Sequence, residues 1–257
     1  MDPLLVDLKE LKSWVRIHDE HLLVIDKPGW LVCHPSKRGP LSSLVGACKV
    51  WTGLETLHLV SRLDRETSGV IVIAKDRMTA RKFQMAIQAR EVEKTYLAIL
   101  EGEMASEESV DEPVGRDGNS PVFVKFKVSF SRSAKPALTH FTPLLTAGGY
   151  TLARVQPHTG RKHQIRVHAH WIEHPIVGDK LYGNDETLYL EFVERGWTER
   201  LEASLELPRQ ALHAASLNFL GEGLKRRFDA PFPDDLRSFC HSRMGLADGV
   251  IDDLIPE

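Results

Sequence analysis

Cysteine is scarce in this chain: three of 257 residues, at positions 33, 48 and 240. An odd number so widely spaced fits small reduced thiols of a cytoplasmic protein better than a disulfide framework or a zinc site. Long apolar runs are missing as well. None approaches the roughly 18 residues needed to cross a bilayer, so no membrane partner is expected. The first residues, MDPLLVDLKELKSW, lack a basic region followed by an apolar stretch, so no secretory leader is read there. Excess positive charge is also absent, since the formal net charge is −3, which at first argues against a polyanionic partner.

The distribution of charge alters that argument. Residues 101–112, EGEMASEESVDE, hold six acids and no base, so setting those six aside turns −3 into +3 for the rest. Setting aside Asp248, Asp252, Asp253 and Glu257 as well, four acids with no base after Arg243, leaves +7. A modestly basic body with an acidic periphery can bind nucleic acid through a local patch. With 42% hydrophobic residues the chain can bury a substantial core, as one large domain or two small lobes sharing a sheet.

Along the chain, residues 1–11 suit a short lead helix or an arm. Residues 14–36 alternate apolar and polar stretches around Asp19-Glu20 and predict a hairpin, with Lys27-Pro28-Gly29 closing it. A flexible segment over 37–52 follows. VSRLDRETSGVIVIAK at 60–75 runs from charged residues through a Thr-Ser-Gly turn into an apolar strand at 70–74. Asp76 is placed to cap a helix over 77–90, with Met78, Phe83, Ala86 and Ile87 on one face. A strand is predicted over 92–100 and a surface loop for the acidic run. Strict alternation predicts a long strand over 122–130, with Val122, Val124, Phe126, Val128 and Phe130 inward and Phe123 the exception. Strands at 137–145 and 150–156 flank Gly148-Gly149, a His- and Arg-rich helix follows Gly160, and 188–200 suits a helix. Residues 213–219 read as the last strand, with 224–235 leading out through two prolines. Strands outnumber helices and no βαβ rhythm persists, so the class expected is α+β, with a mixed, mainly antiparallel central sheet and flanking helices.

Three places carry chemistry. Asp64 lies between Arg62 and Arg65, and nearby positive charge favours its ionised form, which suits a nucleophile or positioned base. The same arrangement equally suits a structural ion pair at a turn. At 158–174, five histidines suggest a metal, yet no HExxH occurs and no carboxylate falls between Val155 and His170. Arg161, Lys162 and Arg166 at a helix start instead make an anion-facing end. The third place is Tyr96, which by itself suits packing on a strand.

The order RLDRETSG (62–69), KTYLAIL (94–100), HTGRKHQIRVH (158–168), HPIVGDKLYG (174–183) and LHAASLNF (212–219) resembles the RluA family of RNA pseudouridine synthases. HDEHLLVIDKPGWLVCHPS (18–36) is similar to that family's first segment. The resemblance covers roughly 14–235, leaving 1–13 as a lead and 236–257 as an acidic C-terminal tail around one catalytic domain of the pseudouridine synthase fold. It implies an isomerase without cofactor or metal that converts uridine in structured RNA, a tRNA or rRNA, to pseudouridine. By position, Asp64 is the catalytic aspartate, Tyr96 packs on the uracil, Arg166 pairs with Asp64, and Arg62 fills the space left by the extruded nucleotide. Arg161, Lys162 and His163 are assigned to substrate binding. Ser61 departs from the family, which usually carries His there. With no room for a further amino-terminal RNA-binding domain, target recognition is expected of the catalytic domain, with segments 37–52 and 188–207. A monomer is the default. The competing readings are a non-catalytic RNA-binding module of the same fold and a metal hydrolase built on the histidines.

Overall fold

The computed structural model describes residues 5–34 and 39–255. In chain order its first elements are α1 (Leu8–Trp14), β1 (Val15–His18), β2 (Leu22–Lys27), α2 (Leu44–Thr52), β3 (His58–Leu59), β4 (Ser68–Ala74), α3 (Arg77–Gln88) and β5 (Val92–Glu101). There follow β6 (Glu108–Asp111), β7 (Val114–Arg116), β8 (Phe126–Val128), β9 (Leu138–Ala147), β10 (Tyr150–Pro157) and α4 (Gln164–Trp171). The last are α5 (Thr187–Arg195), α6 (Glu199–Ser204), β11 (Leu212–Phe219), β12 (Arg226–Asp229), α7 (Asp234–Met244) and α8 (Asp248–Leu254). Two units emerge: Met1–Lys94 with Ala214–Pro231, and Thr95–His213 with Phe232–Glu257. The three boundaries, at 94/95, 213/214 and 231/232, all fall inside the span 14–235 expected to form one domain.

In the first unit the sheet runs β1-β2-β4-β11, with β3 also on β4 and β12 on β11. The β1–β2 hairpin is present, but it is closed by Asp19, whose carboxylate accepts from the backbone N–H of His21 and Leu22 at 3.0 and 2.7 Å. Lys27-Pro28-Gly29 therefore follows the hairpin and does not close it. All seven residues of β4 are buried, so this central strand is covered on both faces. One face packs on a cluster that includes Leu11, Leu23, Ile25, Leu44, Ile71 and Ile73. On α3, Phe83 meets Phe219 edge-on at 4.8 Å. Asp76 caps α3 as expected, accepting from Thr79 N at 2.8 Å, whereas Met78 is 83% exposed and not on the packed face.

The segment predicted flexible over 37–52 is largely ordered: residues 37 and 38 lie outside the described residues, and α2 buries Leu44 through Cys48. Gly46 is required there. A Cβ on it would lie 2.1 Å from the Pro40 carbonyl oxygen, and only glycine permits that approach.

In the second unit the sheet runs β5-β10-β9-β6, antiparallel throughout. Gly148 and Gly149 join β9 to β10 with φ of 63° and 83°, the positive values that a tight hairpin turn of this hand demands. The acidic run is only partly loop. Its residues 108–111 form the edge strand β6, with Val110 inward and acids outward, which blunts the edge against further pairing.

The predicted strand over 122–130 shrinks to the three residues of β8, because Lys125 N–H donates to Val122 O at 2.9 Å and turns the chain. Val122 is buried as expected, but Phe130 is 77% exposed. Residues 226–229 form a further strand, β12, after the one predicted to be last. The acidic tail folds as α7 and α8, with Leu236, Phe239, Cys240, Met244 and Ile251 buried; residues 256 and 257 lie outside the described residues. Arg237 binds Asp248 and Asp252 at 3.0 and 2.8 Å, so these acids are paired within the fold. The class is α+β with mainly antiparallel pairing and flanking helices.

Candidate active site

Asp64 sits in the loop that enters β4, half-buried, between the exposed side chains of Arg62 and Arg65. The backbone carbonyls on either side of it are gripped from elsewhere in the first unit. Cys33 Sγ donates to Leu63 O at 3.3 Å, and Lys27 Nζ donates to Arg65 O at 2.9 Å. The same ammonium, fully buried, donates to Pro28 O and Leu31 O, both at 2.8 Å. A buried charge is tolerated only with such a set of acceptors. Thr67 N–H donates to Asp64 O at 3.2 Å and closes the turn. Gly69 then enters β4 at φ 110°, where a Cβ would meet Ala214 O at 2.2 Å.

Neither Lys27 nor Cys33 stood out in the sequence, one being taken for a turn residue and the other for incidental burial. Replacing Lys27 by Met is expected to lower stability by about 3 kcal/mol, because three carbonyls lose their donor in a buried place. Urea denaturation measures this, and an unchanged midpoint would refute the role. Nearby, an Arg62 Nη lies 3.0 Å from His34 Nε2. Burial first, and then the Arg62 charge, push the His34 pKa down, so this ring is biased towards its neutral form.

In the second unit Tyr96 is half-buried on β5, opposite Val155 of β10. Arg166, on α4, is nearly enclosed, and its Nε and one Nη donate to Asp179 at 2.6 and 2.8 Å. Burial pushes the Asp179 pKa up, but the Arg166 charge and hydrogen bond, with the N–H groups of Leu181 and Tyr182, hold it below the ordinary carboxylate range. Asp179 is thus ionised and orients the guanidinium, while the Tyr182 ring lies 4.9 Å from Arg166 Cζ. Asp179 lies inside a motif that the sequence singled out without giving it a role. Gly178, at φ 74°, could have marked it, since a Cβ there would strike Arg209 O at 2.3 Å.

The loop before α4 is organised by Gln164. Its Oε1 accepts from Thr159 Oγ1 at 2.6 Å and from Arg161 N at 3.0 Å, and its Nε2 donates to Leu138 O and Thr139 Oγ1. Arg161 and Lys162 are exposed, with Arg161 Nε donating to Pro136 O at 3.0 Å and Lys162 Nζ 5.4 Å from the Phe126 ring. His163, at φ 58°, is half-buried, with Nδ1 2.8 Å from the Tyr182 hydroxyl. The second unit therefore gathers Arg161, Lys162, His163 and Arg166 around one helix start and carries Tyr96 on a strand, and Asp64 belongs to the first unit.

The other histidines serve separate partners. His168 contacts Thr139 Oγ1 and Glu112 O, His174 contacts Glu101 O, and His158 meets His140 edge-on at 4.6 Å. Among the described residues no group of three or more His, Cys, Asp or Glu side chains is placed to hold a metal ion. The metal-hydrolase reading thus has no donor set among them.

The family model described as RNA pseudouridylate synthase matches residues 21–171. A ribosomal large subunit pseudouridine synthase D of Xanthomonas campestris is 36% identical over 230 residues, 87% of this chain and 67% of that protein. The protein of the same name from Pseudomonas aeruginosa is 34% identical over 88% of this chain and 70% of its own length. Among solved structures, human RNA pseudouridylate synthase domain containing 4 superposes with a TM-score of 0.68 at 27% identity, over 91% of this chain and 94% of that one. Human RNA pseudouridylate synthase domain containing 1 reaches 0.71 at 22% identity, over 100% and 98%, which speaks for the fold. Matches of this extent place the chain in the RluA-type family of RNA pseudouridine synthases.

Proposed function

We propose that this enzyme isomerises specific uridines of ribosomal RNA to pseudouridine, with Asp64 as the catalytic aspartate acting on a flipped-out nucleotide. The observation that carries the assignment is the bracing of Asp64, whose two flanking carbonyls are fixed by buried side chains while the residue itself is half-buried. A reactive group must be held to well under an ångström to gain from proximity. The names of the relatives favour the large ribosomal subunit over tRNA.

In the reaction the N1–C1′ bond breaks, the uracil turns, and a C5–C1′ bond forms. The C5 proton leaves and N1 gains one, so the atoms balance without a redox partner. Flipping costs a few kcal/mol, least in loops. Tyr96 supplies an aromatic face for the freed base, and Arg62 takes its place in the stack. Arg166 pairs with Asp64. Arg161, Lys162 and His163 contact the RNA. The cytoplasm is the compartment implied by this substrate, and among the described residues no helix is long and apolar enough to cross a membrane.

Pseudouridine mapping of total RNA from cells with and without the protein tests the substrate. Loss of one or a few sites in large-subunit rRNA is expected. Loss confined to tRNA would redirect the substrate, and no loss anywhere would overturn the function. RNA affinity should fall steeply between roughly 50 and 200 mM salt as phosphate contacts release counterions. Filter binding across that range checks it, and a flat response would remove the phosphate contacts assigned to Arg161 and Lys162.

A further inference from the structure

The segment 113–136 is the part of the chain whose sequence pattern and structure disagree most, and the active-site assignment leaves it unused. It carries Arg116, Lys125, Lys127, Arg132 and Lys135 against the single acid Asp117, a local net charge of +4 in a chain of net −3. It folds as the separate two-stranded sheet of β7 and β8, with Arg116 opposite Phe126 and Val114 opposite Val128. Val114 and Val122 are buried, and Val124, Phe126 and Val128 pack partly against the same cluster with Leu181 and Tyr182.

That core accounts for the inward residues and leaves out two. Phe123 is 73% and Phe130 77% exposed, the two most exposed aromatic side chains among the described residues. A single exposed phenylalanine needs no explanation, but here two occur within eight residues beside a local excess of positive charge. The Arg116 guanidinium lies 3.4 Å from the centroid of the Phe123 ring, a stacked pair at the surface. Lys125 and Lys127 are taken up by Glu186 and Asp117, each at 2.8 Å, whereas Arg116, Arg132 and Lys135 are exposed. The hairpin adjoins the loop before α4 through Arg161 on Pro136 O and Lys162 over Phe126.

Exposed aromatic faces interleaved with cations are what single-stranded nucleic acid requires, because every base has a π-face and every linkage a phosphate. We propose that this hairpin is a single-strand RNA contact, in which Phe123 and Phe130 stack unpaired bases near the target uridine and Arg116, Arg132 and Lys135 face the phosphates. The proposal rests on RNA being the substrate, and it assigns part of the recognition to a segment outside the residues that handle the target base.

The test is binding of single-stranded oligouridylate, about a dozen nucleotides long, to the full chain at fixed salt. Phe123→Ala and Phe130→Ala are each expected to weaken binding about tenfold, by the loss of one stacked base. Phe123→Trp should retain affinity and show quenched emission when the RNA binds, whereas Phe123→Leu, apolar but without a stacking face, should behave like Ala. Wild-type affinity in the double Ala variant, or affinity retained by Leu, would overturn the proposal. So would self-association of the wild type in sedimentation that the double variant abolishes while RNA affinity stays unchanged, since the patch would then join copies of the chain. Pseudouridine formation is assayed alongside. Loss of binding in the variants of a chain that forms no pseudouridine keeps this inference and sinks the catalytic one, and the reverse pattern does the opposite.

Discussion

Asp64→Asn is expected to lower pseudouridine formation by about 10³-fold or more, while leaving the Kd for RNA within about threefold. Asn has nearly the volume of Asp and removes only the negative charge, so the loss isolates what that charge does. The design depends on how the loop is built. Its path is set by Lys27 on Arg65 O and Cys33 on Leu63 O, contacts to backbone that the substitution does not touch. Melting should therefore stay close to that of the wild type, and rate and fold can be read separately. Single-turnover assays with a saturating RNA substrate measure the rate. A variant that turns over at the wild-type rate would end the assignment of Asp64.

The second large effect is expected at Asp179, in the other unit. Asp179→Asn removes the carboxylate of the buried Arg166–Asp179 pair, which costs about 3–5 kcal/mol where a buried pair loses one partner. Activity should fall with it, because the guanidinium loses the fork that orients it. Arg166→Ala should also lose most of its rate. The pH dependence carries a definite sign. The folded-state pKa of Asp179 lies below the ordinary value of 3.8, so its contribution is fully present above that value and is lost as pH falls through the folded one. The stability gap between wild type and Asp179→Asn should thus be widest near neutrality and narrow in acid below about pH 4. Urea titrations at several pH values follow it. A gap that widened on acidification would mean that Asp179 is not held ionised by Arg166.

Where the sequence pattern is local, it was a reliable guide. The Asp76 cap and the Phe83–Ala86 face of α3, the Gly148-Gly149 hairpin and the apolar strand β4 each depend on neighbours within a few residues. The family resemblance was legible for another reason: its motifs are strung along the chain in a set order, so no contact between them had to be inferred. The misreadings share one cause. Residues 37–52 look flexible until Leu44 through Cys48 are seen buried on α2, and alternation over 122–130 looks like a core strand until Val122 and Lys125 close a turn. Acidic 108–111 looks like loop until β9 pairs with it, and Met78 shares a helical face with Phe83 by spacing yet points into solvent.

The same cause separates the candidate site residues read from the sequence from the residues that brace them. Asp64, Tyr96 and Arg166 are candidates because they belong to ordered motifs. Lys27, 38 residues from the Arg65 carbonyl it holds, and Asp179, 13 residues from Arg166, carry no local mark of what they do. The amino-acid order by itself determined the class of fold and the family, because periodicity, caps and motif order are written along one dimension. Only the tertiary structure decided which side chains brace Asp64 and Arg166 and which aromatics are left outside the core. Burial and hydrogen bonding are satisfied between residues that approach in space, at separations the linear pattern does not encode.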